Sequence, residues 1–175
     1  MTGLAERLVG QAVPAIALPS TQGGAVDLAV LPAGRTVIYC YSRTSEPGKP
    51  SPAGWDVIPG AKGCTPQSCT FRDHHDDLAA AGAGVYGLST QTTAYQQEMA
   101  ARLHLPFPIL SDAGFGLIDA LSLPTFEAGG MRLVQRLTLV IRHGVIEHVF
   151  HPVPHPEHSA EETLAWLRAH PIVDA

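Results

Sequence analysis

Apolar residues in this chain come in short runs separated by glycine- and proline-rich turns, a spacing that predicts brief strands alternating with helices. Residues 15–18 and 25–28 flank Thr21-Gln22-Gly23-Gly24, which predicts a small hairpin. Residues 35–42 are dense in β-branched and aromatic side chains and hold no Pro or Gly, as expected of a buried central strand. A helix is predicted over residues 64–78, with Pro66 in its first turn and Gly82 and Gly84 beyond its end. Residues 85–89, 93–103, 107–110 and 116–121 then predict strand, helix, strand and helix. Residues 137–141 and 145–150 bracket Arg142-His143-Gly144, a hairpin signature. A last helix is expected over residues 159–169, with Ser159 as N-cap and Glu162 at the capping-box position.

That order implies an α/β fold: a mixed central β-sheet with helices on both faces. A length of 175 residues suits one domain with one core, here residues 1–175. The net charge is −5 and there is no basic run, which argues against a nucleic-acid partner. No apolar run approaches the ~18 residues of a membrane span. The start, Met1-Thr2-Gly3-Leu4-Ala5-Glu6-Arg7, lacks the basic-then-apolar layout of a secretory signal, so a cytoplasmic protein is expected. In a reducing compartment its three cysteines are core fillers, metal ligands or redox-active thiols rather than a structural disulfide set.

The irregular stretch 43–63, rich in Pro and Gly, is long for a connection inside a compact domain, and such loops usually carry function. It leads into Gly63-Cys64-Thr65-Pro66-Gln67-Ser68-Cys69. A sulfur in the first helical turn meets unpaired backbone N–H groups and the positive end of the helix dipole. Both favour negative charge there, which suits a nucleophile. The competing reading of Cys64 is a small apolar residue packed at a helix end. Cys69 weighs against that reading. In an intact helix, residues five apart have Cα atoms roughly 8.5 Å from one another, beyond the ~7 Å limit for a disulfide. Such a pair makes a poor staple but a workable catalytic couple, if the first turns unwind after one sulfur becomes a sulfenic acid.

A metal site built from Cys64, Cys69, His74 and His75 is the rival, but steps of five rotate side chains by ~140° and do not converge. His74-His75-Asp76-Asp77 reads better as a solvated helix face, and His151, His155 and His158 as parts of a surface loop. No cofactor is called for. Cys40 lies inside the strand pattern and is expected in the core. Arg136 opens the apolar run 137–141. It is either an exposed arginine at a strand end or an inward guanidinium aimed at the thiolate.

Gly63-Cys64-Thr65, then Cys69, then Phe71-Arg72-Asp73 resembles the Gly-Cys-Thr-x-x-x-Cys-x-Phe-Arg-Asp signature of peroxiredoxins of the bacterioferritin comigratory protein (PrxQ) branch. Residues 10–14, 24–28, 36–41, 87–89, 107–112 and 136–144 resemble the family's other segments in the right order. The resemblance implies a thioredoxin-like fold, with Cys64 as peroxidatic cysteine, Cys69 as resolving cysteine and Arg136 as active-site arginine. It implies hydrogen peroxide or alkyl hydroperoxide as substrate, recycling by thioredoxin or a similar dithiol protein, and a monomer. The chain departs from the family at Ala61, where a Thr or Ser hydroxyl is usual, and at Val57, where a Pro is usual, with Pro59 nearby. Thr44, Ser45 or Thr65 could supply the hydroxyl.

Three other readings follow. A register starting at Pro59-Gly60-Ala61 would make Cys69 the nucleophile, as in the peroxiredoxin-5 group. The same fold could serve a peroxide-sensing or redox-interaction protein with little turnover. A thiol–disulfide oxidoreductase is a third, but it usually needs two cysteines separated by two residues, which this chain lacks.

Overall fold

In the computed structural model, which describes residues 3–44, 55 and 63–172, strand β3 (Arg35–Cys40) is buried at every residue. It pairs in parallel with β4 (Ala83–Ser89) and antiparallel with β8 (Leu137–Arg142). β5 (Ile109–Ser111) adds in parallel beyond β4, and β9 (Val145–Phe150) antiparallel beyond β8. The sheet order is therefore β5-β4-β3-β8-β9. Strand side chains alternate between two faces, so β3 feeds two apolar clusters. Ile38 and Cys40 pack with Leu8 of α1 (Leu4–Leu8) and Ile118 and Leu121 of α5 (Gly116–Leu121). Val37 and Tyr39 pack on the other face. They meet Phe71 of α2 (Cys64–Asp73), Met99 of α4 (Thr93–Arg102) and Leu164 and Leu167 of α6 (Ser159–Ala169).

The mixed sheet with helices on both faces is the architecture expected from the sequence, and so is the hairpin of β1 (Ala17–Pro19) and β2 (Ala25–Asp27). The turn between β8 and β9 places His143 and Gly144 at positive φ (53° and 73°), the conformation a two-residue primed turn requires. Two local expectations need correction, and one element is additional. The helix expected over 64–78 is two helices, α2 and then α3 (His75–Ala80), because His74 leaves helical geometry at φ −104°, ψ 12°. Ser159 is the first residue of α6 rather than its cap; the capping residue is His158, which makes no side-chain cap bond, and the Ser159 hydroxyl accepts from Gln67 instead. A hairpin of β6 (Thr125–Ala128) and β7 (Met131–Val134), turning at Gly129-Gly130, was not foreseen.

One contact seats the catalytic-helix candidate on the sheet. Tyr39 of β3 stacks on Phe71 of α2, with ring centroids 4.4 Å apart and planes 4° from parallel. Phe107 closes edge-on at 5.8 Å. Aromatic pairs of this kind contribute about 0.5–1.5 kcal/mol beyond the area they bury.

Candidate active site

Cys64 is the first residue of α2 and is 3% exposed. Its backbone N–H lies in the turn that lacks intrahelical acceptors. Gly63 precedes it at φ 107°, ψ 6°. A Cβ there would sit 2.7 Å from Pro156 Cγ, so glycine is required both by the backbone and by the neighbour.

Arg136 stands one residue before β8, on the same parity as Thr138 and Val140, and Val140 belongs to the cluster on the α2 side. The alternation that buries Val140 therefore aims Arg136 at the helix mouth. The side chain is 4% exposed. Its Nη2 donates to Cys64 Sγ at 3.1 Å, and its Nη1 donates to Gln67 Oε1 at 2.6 Å. A buried guanidinium is costly unless its donors are used, and here the fork grips the sulfur and the helix together.

Gln67 is the functional side chain that sequence reasoning missed. It is fully buried one turn along α2, and its Nε2 donates to Ser159 Oγ at 3.2 Å. Ser159 O in turn accepts from Thr163 Oγ1 at 2.8 Å. The sulfur, the arginine, α2 and α6 thus form one hydrogen-bonded chain. The available signal was its spacing of three from Cys64, which shares a helix face.

Cys69 lies in the same helix, half-buried, and all three cysteines are thiols. Between the two sulfurs' positions, Ser68 Oγ accepts from Tyr39 Oη at 3.0 Å, both residues fully buried. Burial pushes the Tyr39 phenol well above its ordinary range, so it remains a donor. Cys40 belongs to the cluster on the opposite face of the sheet from Cys64, and burial pushes its thiol up as well.

His74 is within 3.4 Å of Asp77 and 3.7 Å of Glu161, and His158 within 3.6 Å of Glu161. Among the described residues no group of three or more such side chains could hold a metal ion. The departures at Val57 and Ala61, the nearby Pro59, and Ser45 as a substitute hydroxyl, lie outside the described residues. Thr44 is turned to Gln91: its N–H donates to Gln91 Oε1 at 3.1 Å, and Gln91 Nε2 donates to Thr44 O at 3.0 Å.

A buried thiol at a helix mouth, gripped by an arginine at the entry to a strand of an α/β sheet, defines a thiol-redox protein. The comparisons sharpen that class. The Redoxin family model matches residues 8–164. Peroxiredoxin Q, chloroplastic, from Arabidopsis thaliana is 30% identical over 161 residues, covering 91% of this chain and 67% of that protein. Peroxiredoxin Bcp from Escherichia coli is 28% identical over 165 residues, covering 92% and 96%. The crystal structure of peroxidoxin BcpB from Mycobacterium tuberculosis superposes with a TM-score of 0.75 at 26% identity, covering 94% of this chain and 99% of that one. The chain belongs to the redoxin family, within its peroxiredoxin Q and Bcp branch. Among the described residues no helix is long and apolar enough to cross a membrane.

Proposed function

We propose that this chain, acting as one domain over residues 1–175, is a thiol-dependent peroxidase in which Cys64 takes the peroxide oxygen and Cys69 resolves the product. The observation that carries the assignment is the 3.1 Å contact between Arg136 Nη2 and Cys64 Sγ, with Nη1 of the same guanidinium donating to Gln67 Oε1. The Cys64 thiolate attacks one oxygen of ROOH, and the O–O bond breaks. Sulfur is oxidised by two electrons to the sulfenic acid, and RO⁻ leaves and takes a proton to become water or an alcohol. Arg136 donates towards the peroxide oxygens as negative charge moves onto the departing one, the kind of stabilisation worth most in a buried site.

Turnover then requires α2 to open. The Cys69 thiolate attacks the sulfenic sulfur, an S–S bond forms and hydroxide leaves as water. A thioredoxin-type dithiol returns two electrons to the disulfide, restoring both thiols. The likeness to the PrxQ branch supports a monomer. Recycling by a dithiol protein suits the cytoplasm, where thiols are kept reduced. Hydrogen peroxide and organic hydroperoxides both satisfy the chemistry.

Steady-state peroxide consumption with thioredoxin, thioredoxin reductase and NADPH tests the assignment. Cys64→Ser is expected to abolish it, while Cys69→Ser retains one oxidation event and loses turnover. Unchanged turnover in Cys64→Ser rejects the role of Cys64. A wild-type rate no faster than that of free thiols would favour the sensing reading instead.

A further inference from the structure

One buried hydroxyl beside Arg136 gives its proton to nothing among the described residues. Cys40 of β3 pairs with Leu137 of β8 and with Leu88 of β4. One residue further, the register sets Tyr41 between Arg136 on one flank and Ser89 on the other. Tyr39 and Tyr41 share a face of β3 and belong to the same apolar cluster as Cys64. Tyr39 gives its phenol proton to Ser68 Oγ at 3.0 Å. Tyr41 is fully buried as well, yet its Oη makes no hydrogen bond. Ser89 cannot take the proton. Its Oγ already accepts from Gln96 Nε2 at 2.9 Å and from the Gln91 N–H at 3.4 Å, which occupies both lone pairs. Burial pushes the Tyr41 phenol well above its ordinary range, and the nearby charge of Cys64 adds to the shift, so the proton stays on the oxygen. Tyr39 senses both Cys64 and Cys69, whereas Tyr41 senses Cys64 without Cys69, which puts Tyr41 at the Cys64 end of α2. An unpartnered buried hydroxyl destabilises a fold, and native proteins keep few of them.

We propose that Tyr41 is a second donor at the reacting centre, its phenol O–H hydrogen-bonding the peroxide oxygens beside Arg136. The proposal rests on the peroxidase reading of Cys64. As the thiolate attacks ROOH, one oxygen passes to sulfur and the electron pair of the O–O bond moves onto the departing RO⁻. The bond from Oη strengthens with that charge, in a site closed to water. Tyr41 keeps its proton throughout, and RO⁻ takes one from water. The two donors differ in readiness: Arg136 is engaged with Sγ and Gln67 beforehand, whereas the phenol proton is uncommitted until the peroxide enters.

The test compares wild type with Tyr41→Phe, as full-length reduced protein, in three measurements. Stopped-flow oxidation of Cys64 by hydrogen peroxide is expected to slow by about 10- to 100-fold, at or below the loss typical of one charge-stabilising donor. Alkylation of Cys64 by iodoacetamide, which brings no peroxide oxygen, is expected to match wild type. Stability in urea is expected to hold or rise, because the variant removes a hydroxyl that had no partner. Incorporating 3-fluorotyrosine at position 41, which restores the O–H, should restore oxidation. Thr138→Val removes the other unpartnered buried hydroxyl of this face, one held closer to the backbone, and should leave oxidation unchanged. Wild-type oxidation in Tyr41→Phe, equal losses in oxidation and alkylation, failure of the 3-fluorotyrosine rescue, or slowing in Thr138→Val each overturns the assignment to Tyr41. A wild-type chain whose Cys64 reacts with peroxide no faster than a free thiol would instead strike the peroxidase reading beneath it.

Discussion

Replacing Ser68 with alanine tests whether disulfide formation runs through unwinding of α2. In the folded helix Ser68 Oγ accepts the Tyr39 phenol at 3.0 Å, and both residues are fully buried. Ser68→Ala leaves that phenol unpaired, a penalty of about 1–3 kcal/mol for a buried polar group. The penalty applies while α2 is wound, because unwinding residues 64–69 lets water reach the ring's hydroxyl. The opening equilibrium should therefore shift by roughly 5- to 150-fold, at 1.4 kcal/mol per factor of ten. The assay is a competition. Reduced protein is mixed with rising peroxide, and mass spectrometry measures the fraction of Cys64 carried past sulfenic to sulfinic acid against the fraction trapped as disulfide. Ser68→Ala should need more peroxide for the same sulfinic fraction, and its global stability should fall by the same penalty. The double variant Tyr39→Phe/Ser68→Ala removes both partners and should recover most of each effect. If Ser68→Ala loses stability as expected while the sulfinic fraction is unchanged, the two sulfurs do not meet through this turn.

Arg136→Leu should slow Cys64 oxidation by about 10²–10³-fold, the loss typical of one charge-stabilising donor, and Arg136→Lys should fall between, since an ammonium cannot grip Sγ and Gln67 together; stopped-flow oxidation of reduced protein reads both. Gly63→Ala forces a side chain into φ 107° and against Pro156, and thermal unfolding should show a loss of about 1–3 kcal/mol. Arg35 binds Glu147 through both carboxylate oxygens at 2.8 and 2.9 Å and holds its pKa below the ordinary range. A lowered carboxylate pKa adds stability above the unfolded value that disappears as pH falls through the folded one. Urea unfolding should accordingly show the gap between wild type and Glu147→Gln widest at neutral pH and closing in acid.

Local features of this molecule were legible in the sequence where one short segment contains the whole cause. The Gly63-Cys64 step is such a case, since a helix start and its unpaired N–H groups are set within one turn. The turn at His143-Gly144 is another. Arg136 could not be oriented from spacing, because an arginine entering a strand reads the same inward or outward until the register with β3 is known. Pairing Cys40 with Leu137 supplies that register. The link from Gln67 to Ser159 spans 92 residues and has no sequence signal at all. It also explains the misread cap, since a serine at the mouth of a helix looks like a cap until a distant partner claims its hydroxyl. The β6–β7 hairpin did carry a signal in Gly129-Gly130, but four-residue strands give too little alternation to set beside it. The break at His74 replaces no helix-breaking residue type, and its neighbours Asp73 and His75 continue the helical pattern.

The grip of Arg136 has one more consequence. The guanidinium arrives from the sheet, the sulfur from one helix, and Ser159 steadies the link from another. None of these groups is near the others along the polypeptide, so a nascent or denatured chain holds only commonplace thiols. On the proposed function, reactivity toward oxidants is in this way a property conferred by completed folding, and a molecule that loses the docking of α6 is expected to disarm itself.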